Sequence, residues 1–326
     1  MASQRTEALF RSPISDPRGW AFCMGRWAHR THLAGRLVAL LGVACHGAAR
    51  QQTAGPLALT DDAGRQVHLA GPARRVVSLA PSITELLFAI GAGGQVVGRT
   101  IYDQYPPAAL QVSAVGDGLN PSVEAIVARH PDLVLLYRSA HTDAAAQQLE
   151  RLGVPTLVVR HDGLADIART ARLLGRATGQ DSGGQAIGRS IDSLEAQPVP
   201  PLVTRLAYVV WDSPPIVIGA GSFLDELARR AGAENVFHDI ATPSATVSIE
   251  TIVARDPDWI AVVRDSAGDA PPAWSRRPEW RVVRAVREGR FLLLPGDLFG
   301  QPSARAREAI ARLSELLSDS PPATRH

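Results

Sequence analysis

Short apolar runs alternate along this chain with stretches whose apolar residues recur at helical spacing, the pattern of an α/β protein. Residues 75–79 read as a strand, and Ser82, Ile83, Thr84 and Glu85 read as a capping box that opens a helix through Ile90 and stops at Gly91. Val96, Val97 and Gly98 resume the sheet, followed by a strand at 133–136, a helix at 143–152 and a strand at 154–159. These elements predict a first α/β lobe over residues 56–160.

The period then changes. Leu164, Ile167, Ala168, Ala171 and Leu174, and later Ile187, Ile191 and Leu194, keep one helical face across residues 161–198, interrupted at 179–184 and closed by prolines 198, 200 and 201. Strands at 206–211, 259–263 and 291–294 then alternate with helices at 223–231, 249–254 and 303–317. The expected organisation is a leader at 1–50, two α/β lobes at 56–160 and 199–317 joined by a long backbone helix at 161–198, and a tail at 318–326.

The lobes repeat each other. SVEAIVARHPD at residues 122–132 matches SIETIVARDPD at 248–258 at eight of eleven positions, and each copy leads into an apolar strand. Glu85 and Leu86 before Gly91 and Ala92 are echoed, in the same order, by Glu226 and Leu227 before Gly232 and Ala233. Two pseudo-symmetric lobes follow, with the seam between them the natural ligand cleft. In the copied helices Val123, Ile126 and Val127, or Ile249, Ile252 and Val253, form the buried stripe, so Glu124 and Glu250 point outward.

Charge separates the first fifty residues from the rest. They hold seven arginines against Glu7 and Asp16, whereas residues 51–326 hold 27 arginines against 30 carboxylates; the chain has no lysine. Arg26, Arg30 and Arg36 precede the apolar run 37–44, which has the length of a signal-peptide core and is too short to span a bilayer. Two processing sites are compatible with it: cleavage after Ala49, or lipidation of Cys45.

With Cys23 and Cys45 both in or beside that leader, the mature chain has no thiol chemistry. No basic stripe with interleaved aromatics points to nucleic acid. The histidines show neither HxxxH nor HExxH spacing, no G-x-S-x-G elbow occurs, and no Walker lysine is available. The expectation is a binding protein with no catalytic residues, no metal site and no cofactor.

RVVSLAPSITELLFAIGAGGQVVGRT at 75–100, YDQYPP at 102–107 and NPSVEAIVARHPDLVLLY at 120–137 resemble the periplasmic cobalamin-binding, BtuF-like family. That class comprises ABC-importer binding proteins for cobalamin, haem and ferric siderophores, and the similarity runs from about residue 73 to about 317. The resemblance implies two lobes on a backbone helix with small lobe motion, a monomer, and delivery to an ABC permease and its ATPase. It implies that Glu124 and Glu250, one per lobe, dock on the permease, and that Tyr102, Trp211 and Phe299 line the ligand cleft. Cobalamin is then the transported ligand, although two cleft tryptophans of the cobalamin protein correspond here to Gly116 and Ser244. The alternatives are haem, with Tyr105, Tyr137, His141 and His161 as candidates, and an anionic ferric siderophore, with Arg99, Arg138 and Arg305. The implied location is periplasmic, with Cys45 as the potential lipid anchor.

Overall fold

The computed structural model describes residues 55–118, 120–264 and 270–319; the leader with Cys45 and residues 320–326 of the tail lie outside them. A hairpin of β1 (Leu57–Thr60) and β2 (Gln66–Leu69) precedes β3 (Val76–Ser78), α1 (Pro81–Ala89), β4 (Val96–Gly98), α2 (Val123–Val127), β5 (Leu133–Tyr137), α3 (Ala140–Arg151) and β6 (Thr156–Val159). The last four strands form a parallel sheet in the order β4-β3-β5-β6. Side chains alternate across it as strand geometry requires: Leu133 and Leu135 enter the central core, Val134 and Leu136 the outer one under α2 and α3.

The connector between the lobes is helical and folds as a hairpin of α4 (Leu164–Thr178) and α5 (Asp181–Glu195). Gly179, at φ +72°, ends α4 in the left-handed conformation that glycine adopts without strain. A Cβ at Gly184 would stand 2.5 Å from the Ala171 carbonyl oxygen, so this glycine lets the two helices touch backbone to backbone. α5, about 22 Å long at 1.5 Å per residue, starts beside the end of α1, where Gly183 meets Ile90. It ends where Arg230 donates to the Leu194 and Glu195 carbonyls.

The second lobe comprises β7 (Thr204–Asp212), β8 (Pro215–Ile218), α6 (Phe223–Arg230), β9 (Ala233–Asn235), β10 (Ser244–Thr246), α7 (Ile249–Arg255), β11 (Trp259–Arg264), α8 (Arg284–Arg287), β12 (Phe291–Pro295), α9 (Gly296–Phe299) and α10 (Ala306–Ser318). Its parallel core runs β9-β7-β11-β12, the order of the first lobe, while β8 and β10 extend the sheet antiparallel. The repeat is therefore structural. Its copies even end alike, with His130 and Asp256 both at positive φ after their helices and both followed by Pro and Asp.

One apolar core crosses the seam. Leu133 and Leu135 of the first sheet, Ile167 and Leu174 of α4, Ile191 of α5, Leu227 of α6, Leu206 and Tyr208 of the second sheet and Leu313 of α10 belong to one buried cluster. Each fully buried leucine of this kind contributes roughly 1.5–3 kcal/mol, so separating the lobes would expose a hydrophobic interior. The described residues of the two lobes form one compact unit.

The capping box expected at residues 82–85 does not form. α1 starts earlier, with Ala80 as N-cap and Pro81 in its first turn, where a missing N–H costs nothing. Glu85, freed from capping, reaches the other lobe.

Candidate functional site

In both lobes the loops that leave the C-terminal ends of the parallel strands converge on the seam, where open α/β sheets place their ligands. They enclose a cleft of about 630 Å³, within the roughly 300–1,000 Å³ usual for small-molecule sites. From the first lobe come residues after β3 (Leu79 to Ser82), β4 (Thr100, Tyr102) and β6 (His161, Asp162) and the last residue of β5 (Tyr137); from the second, Val210, Phe223, Pro243 and residues 299–302.

Tyr102 is 61% exposed on a loop whose Thr100 hydroxyl accepts the Tyr102 N–H at 3.2 Å and donates to Asp103. Phe299 also lines the cleft, but at 1% exposure its ring is chiefly part of the central core. Trp211 does not line the cavity: it is 59% exposed and its indole N–H donates to the Ser213 carbonyl at 2.9 Å. Its neighbour Val210 takes the cleft position. The register of β7 against β8 shifts between Val209 and Trp211, and this irregularity breaks the simple alternation from which a facing could be read. Phe223 and the carboxylates Asp117 and Asp162 are further wall residues that the sequence reading missed; scanning the residues after each strand's C-terminal end would have found Asp162.

Tyr137 and His161, 24 residues apart in sequence, both line the cleft. The Tyr137 hydroxyl donates to Asp162 at 2.5 Å, and burial, followed by that carboxylate, pushes the phenol upward. His161 is 2% exposed, neither ring nitrogen has a hydrogen-bond partner, and burial pulls it down to about 4, so the ring is neutral near pH 7. The side chain of His141 lies outside the described part of the structure. Tyr105 is outside the lining and sits beneath Arg305.

The candidate anion-binding arginines do not converge. Arg99 donates to the Val112 and Thr100 carbonyls, Arg138 to the Asp62 carbonyl, and Arg305 pairs with Glu85. Among the described residues no arginine lines the cleft, whereas Asp117 and Asp162 do. Nor does any described group of three or more His, Cys, Asp or Glu side chains form a metal cage.

Glu124 and Glu250 are both exposed, in the first turns of α2 and α7, behind Ser122 and Ser248 whose hydroxyls cap those helices at 3.2 Å each. The Ser248 hydroxyl also holds the Glu250 carboxyl below its usual range. Both helices follow loops that contribute to the cleft wall, through Asp117 and Gly118 in one lobe and Pro243 in the other. Gly116 and Ser244 adjoin these same wall residues and bring no aromatic ring to them.

A sequence profile described as periplasmic binding protein matches residues 76–298. The chain is 32% identical over 250 residues to the vitamin B12-binding protein of Salmonella typhimurium, covering 76% of this chain and 91% of that one. It is similar in structure to the periplasmic vitamin B12-binding protein BtuF of Vibrio cholerae, at 25% identity and TM-score 0.63 over 76% of this chain and 97% of that one. A periplasmic haem-binding protein from Pseudomonas aeruginosa shares the fold at 24% identity and TM-score 0.65, over 77% and 95% of the two chains. The family comprises solute-binding proteins that work with an ABC permease and its ATPase and is not an enzyme class. With two lobes, a cleft at their seam and this profile across most of its length, the chain belongs to the periplasmic binding protein family, as a substrate-binding protein of the ABC-importer type.

Proposed function

We propose that this protein captures a corrinoid, cobalamin, in the cleft between its lobes and delivers it to an ABC importer. The observation that carries this reading is the charge of the cleft: among the described residues its wall has aromatic and aliphatic side chains and two aspartates, and no cation. Haem propionates or an anionic siderophore would be buried there without a charged partner, which is costly. A corrinoid, with amides around its rim and a broad apolar face, suits Tyr102, Val210, Phe223 and Phe299 and the uncharged polar groups of the wall. The B12-binding relatives support the same cargo. Haem is the second reading, favoured by the presence of Tyr137 and the unpartnered His161 ring in the same cleft lining; against it, the Tyr137 hydroxyl is committed to Asp162.

Glu124 and Glu250, one on each lobe, are the proposed contacts for permease cations. Exposed pairs of this kind set register and on-rate more than affinity. The protein acts outside the cytoplasmic membrane as a monomer, with Cys45 as the proposed lipid anchor.

The deciding experiment is calorimetric titration with cyanocobalamin, haemin and a ferric hydroxamate in parallel. The expected result is one-to-one cobalamin binding at about −8 to −12 kcal/mol, little changed by salt because apolar contact dominates. Haemin binding without cobalamin binding would move the protein to the second reading. Glu124→Arg with Glu250→Arg is expected to leave that affinity unchanged and abolish uptake; normal uptake would remove both residues from docking.

A further inference from the structure

One guanidinium of the second lobe contacts two side chains of the first. Arg305, 15% exposed just ahead of α10 in the second lobe, donates from Nε to Glu85 of α1 in the first lobe at 3.0 Å. Its Cζ stands 3.7 Å from the centroid of the Tyr105 ring, also in the first lobe. Another of its nitrogens donates to the Asp297 carbonyl, and Glu85 additionally accepts the Ser303 hydroxyl. The bonds at Asp297, Ser303 and Arg305 thus bracket residues 299–302, which form one part of the second lobe's wall. Tyr105 lies three residues beyond Tyr102, on a loop that contributes Thr100 and Tyr102 to the first lobe's wall.

We propose that Arg305 is a cross-lobe positioning residue for the cargo site. Paired with Glu85 and stacked on Tyr105, it holds the Tyr102 loop and residues 299–302 at one fixed separation across the seam. A planar cation is required for this, because it must present a face to a ring and an edge to a carboxylate at once; a lysine can do only the second. The inference rests on the cleft being the cargo site, and it adds a residue outside the cleft lining that sets the shape of the cleft.

The test separates the stack from the ion pair. Tyr105→Leu keeps the Arg305 to Glu85 bond and removes the ring, Arg305→Lys keeps the charge and removes the plane, and Tyr105→Phe keeps the stack. In the unliganded protein, amide hydrogen exchange at Ile101, Asp103 and Ala109, which donate to Gly116, Thr100 and Pro106 carbonyls, is expected to accelerate at least tenfold in Tyr105→Leu and Arg305→Lys. It should stay at the wild-type rate in Tyr105→Phe, and β5 amides should be unchanged in Tyr105→Leu. Cobalamin dissociation is expected to quicken five- to tenfold in the same two variants and to recover in Tyr105→Phe.

Unaltered loop exchange in Tyr105→Leu and Arg305→Lys overturns the proposal. Faster exchange with unchanged cargo dissociation overturns the positioning role and leaves a structural clasp. If wild-type protein binds none of the three cargo probes, the corrinoid reading fails by that result, while the exchange measurements still decide whether Arg305 ties the two walls together.

Discussion

Glu85 and Glu226 occupy equivalent places in the two lobes, one in α1 and one in α6, and each reaches the segment where a helix outside its own lobe begins, α10 of the second lobe for Glu85 and α4 of the connector for Glu226. Glu226 does so directly: it accepts the Leu164 N–H at 2.7 Å, capping the first turn of α4. Glu85 bonds instead to the side chains of Ser303 and Arg305 ahead of α10 and leaves the helix N–H groups to others. The two copies thus hold a carboxylate at equivalent positions with different partners, a backbone N–H for Glu226 and a largely buried cation for Glu85. A carboxylate on an N–H group contributes roughly 0.5–2 kcal/mol as a cap; a buried ion pair is costly to break because the survivor is left charged in the interior. The two halves of a symmetric seam should therefore tolerate damage very differently.

The largest expected effect comes from Arg305→Ala. Glu85 is 2% exposed, its second carboxylate oxygen already lacks a partner, and removal of the guanidinium strands its charge. Urea unfolding is expected to show a loss of about 3–5 kcal/mol, against about 1 kcal/mol for Glu226→Ala. Equal losses would mean that the ion pair is no more than a second cap.

A smaller effect tests whether the Glu226 cap is real. A Cβ at Gly163 would stand 2.9 Å from the Glu226 carboxylate, so Gly163→Ala should push that flexible side chain off the Leu164 N–H. In a double-mutant cycle, Gly163→Ala is expected to cost about 0.5–1 kcal/mol more in wild type than in the Glu226→Ala background. Strict additivity would show that the two groups do not meet.

The asymmetry between these contacts also marks where sequence reading stops. The repeats at 122–132 and 248–258 disclosed the pseudo-symmetry, because a shared apolar spacing is packed in the same way; the sheet orders β4-β3-β5-β6 and β9-β7-β11-β12, which match each other, came only from the structure. Tyr102 was marked as a cleft residue by the resemblance of its YDQYPP loop to the family, and it does line the cleft. Trp211 does not, since the irregular register in β7 sets which of Val210 and Trp211 faces the cleft, and a bulge depends on the partner strand. Glu85 read as a helix cap because a local partner was in sequence range, whereas its actual partner lies 220 residues away. Local patterns fix the elements; contacts across the seam depend on how the elements assemble.

The smallest expected effect distinguishes the two glutamates by pH. Burial holds the Glu226 carboxyl above its usual range, so over the interval between its unfolded and folded values the folded chain binds more protons than the unfolded one. Its stabilising contribution is present below the unfolded pKa and is lost as pH rises through the folded one. His161 acts in the opposite sense: with its ring held down to about 4 by burial, its contribution is full above about pH 6.5, the ordinary histidine value, and is lost as pH falls toward 4. Because both slopes contribute to the wild-type curve, the informative quantity is the difference between Glu226→Gln and wild type, in which His161 cancels. That difference is expected to move in favour of Glu226→Gln by up to about 1 kcal/mol between pH 4 and 7, kept small by the solvent still reaching this half-buried side chain. A difference that stays flat with pH would mean that the Glu226 carboxylate is as well stabilised at the seam as in water, and the contrast between the lobes would then reside in Arg305 alone.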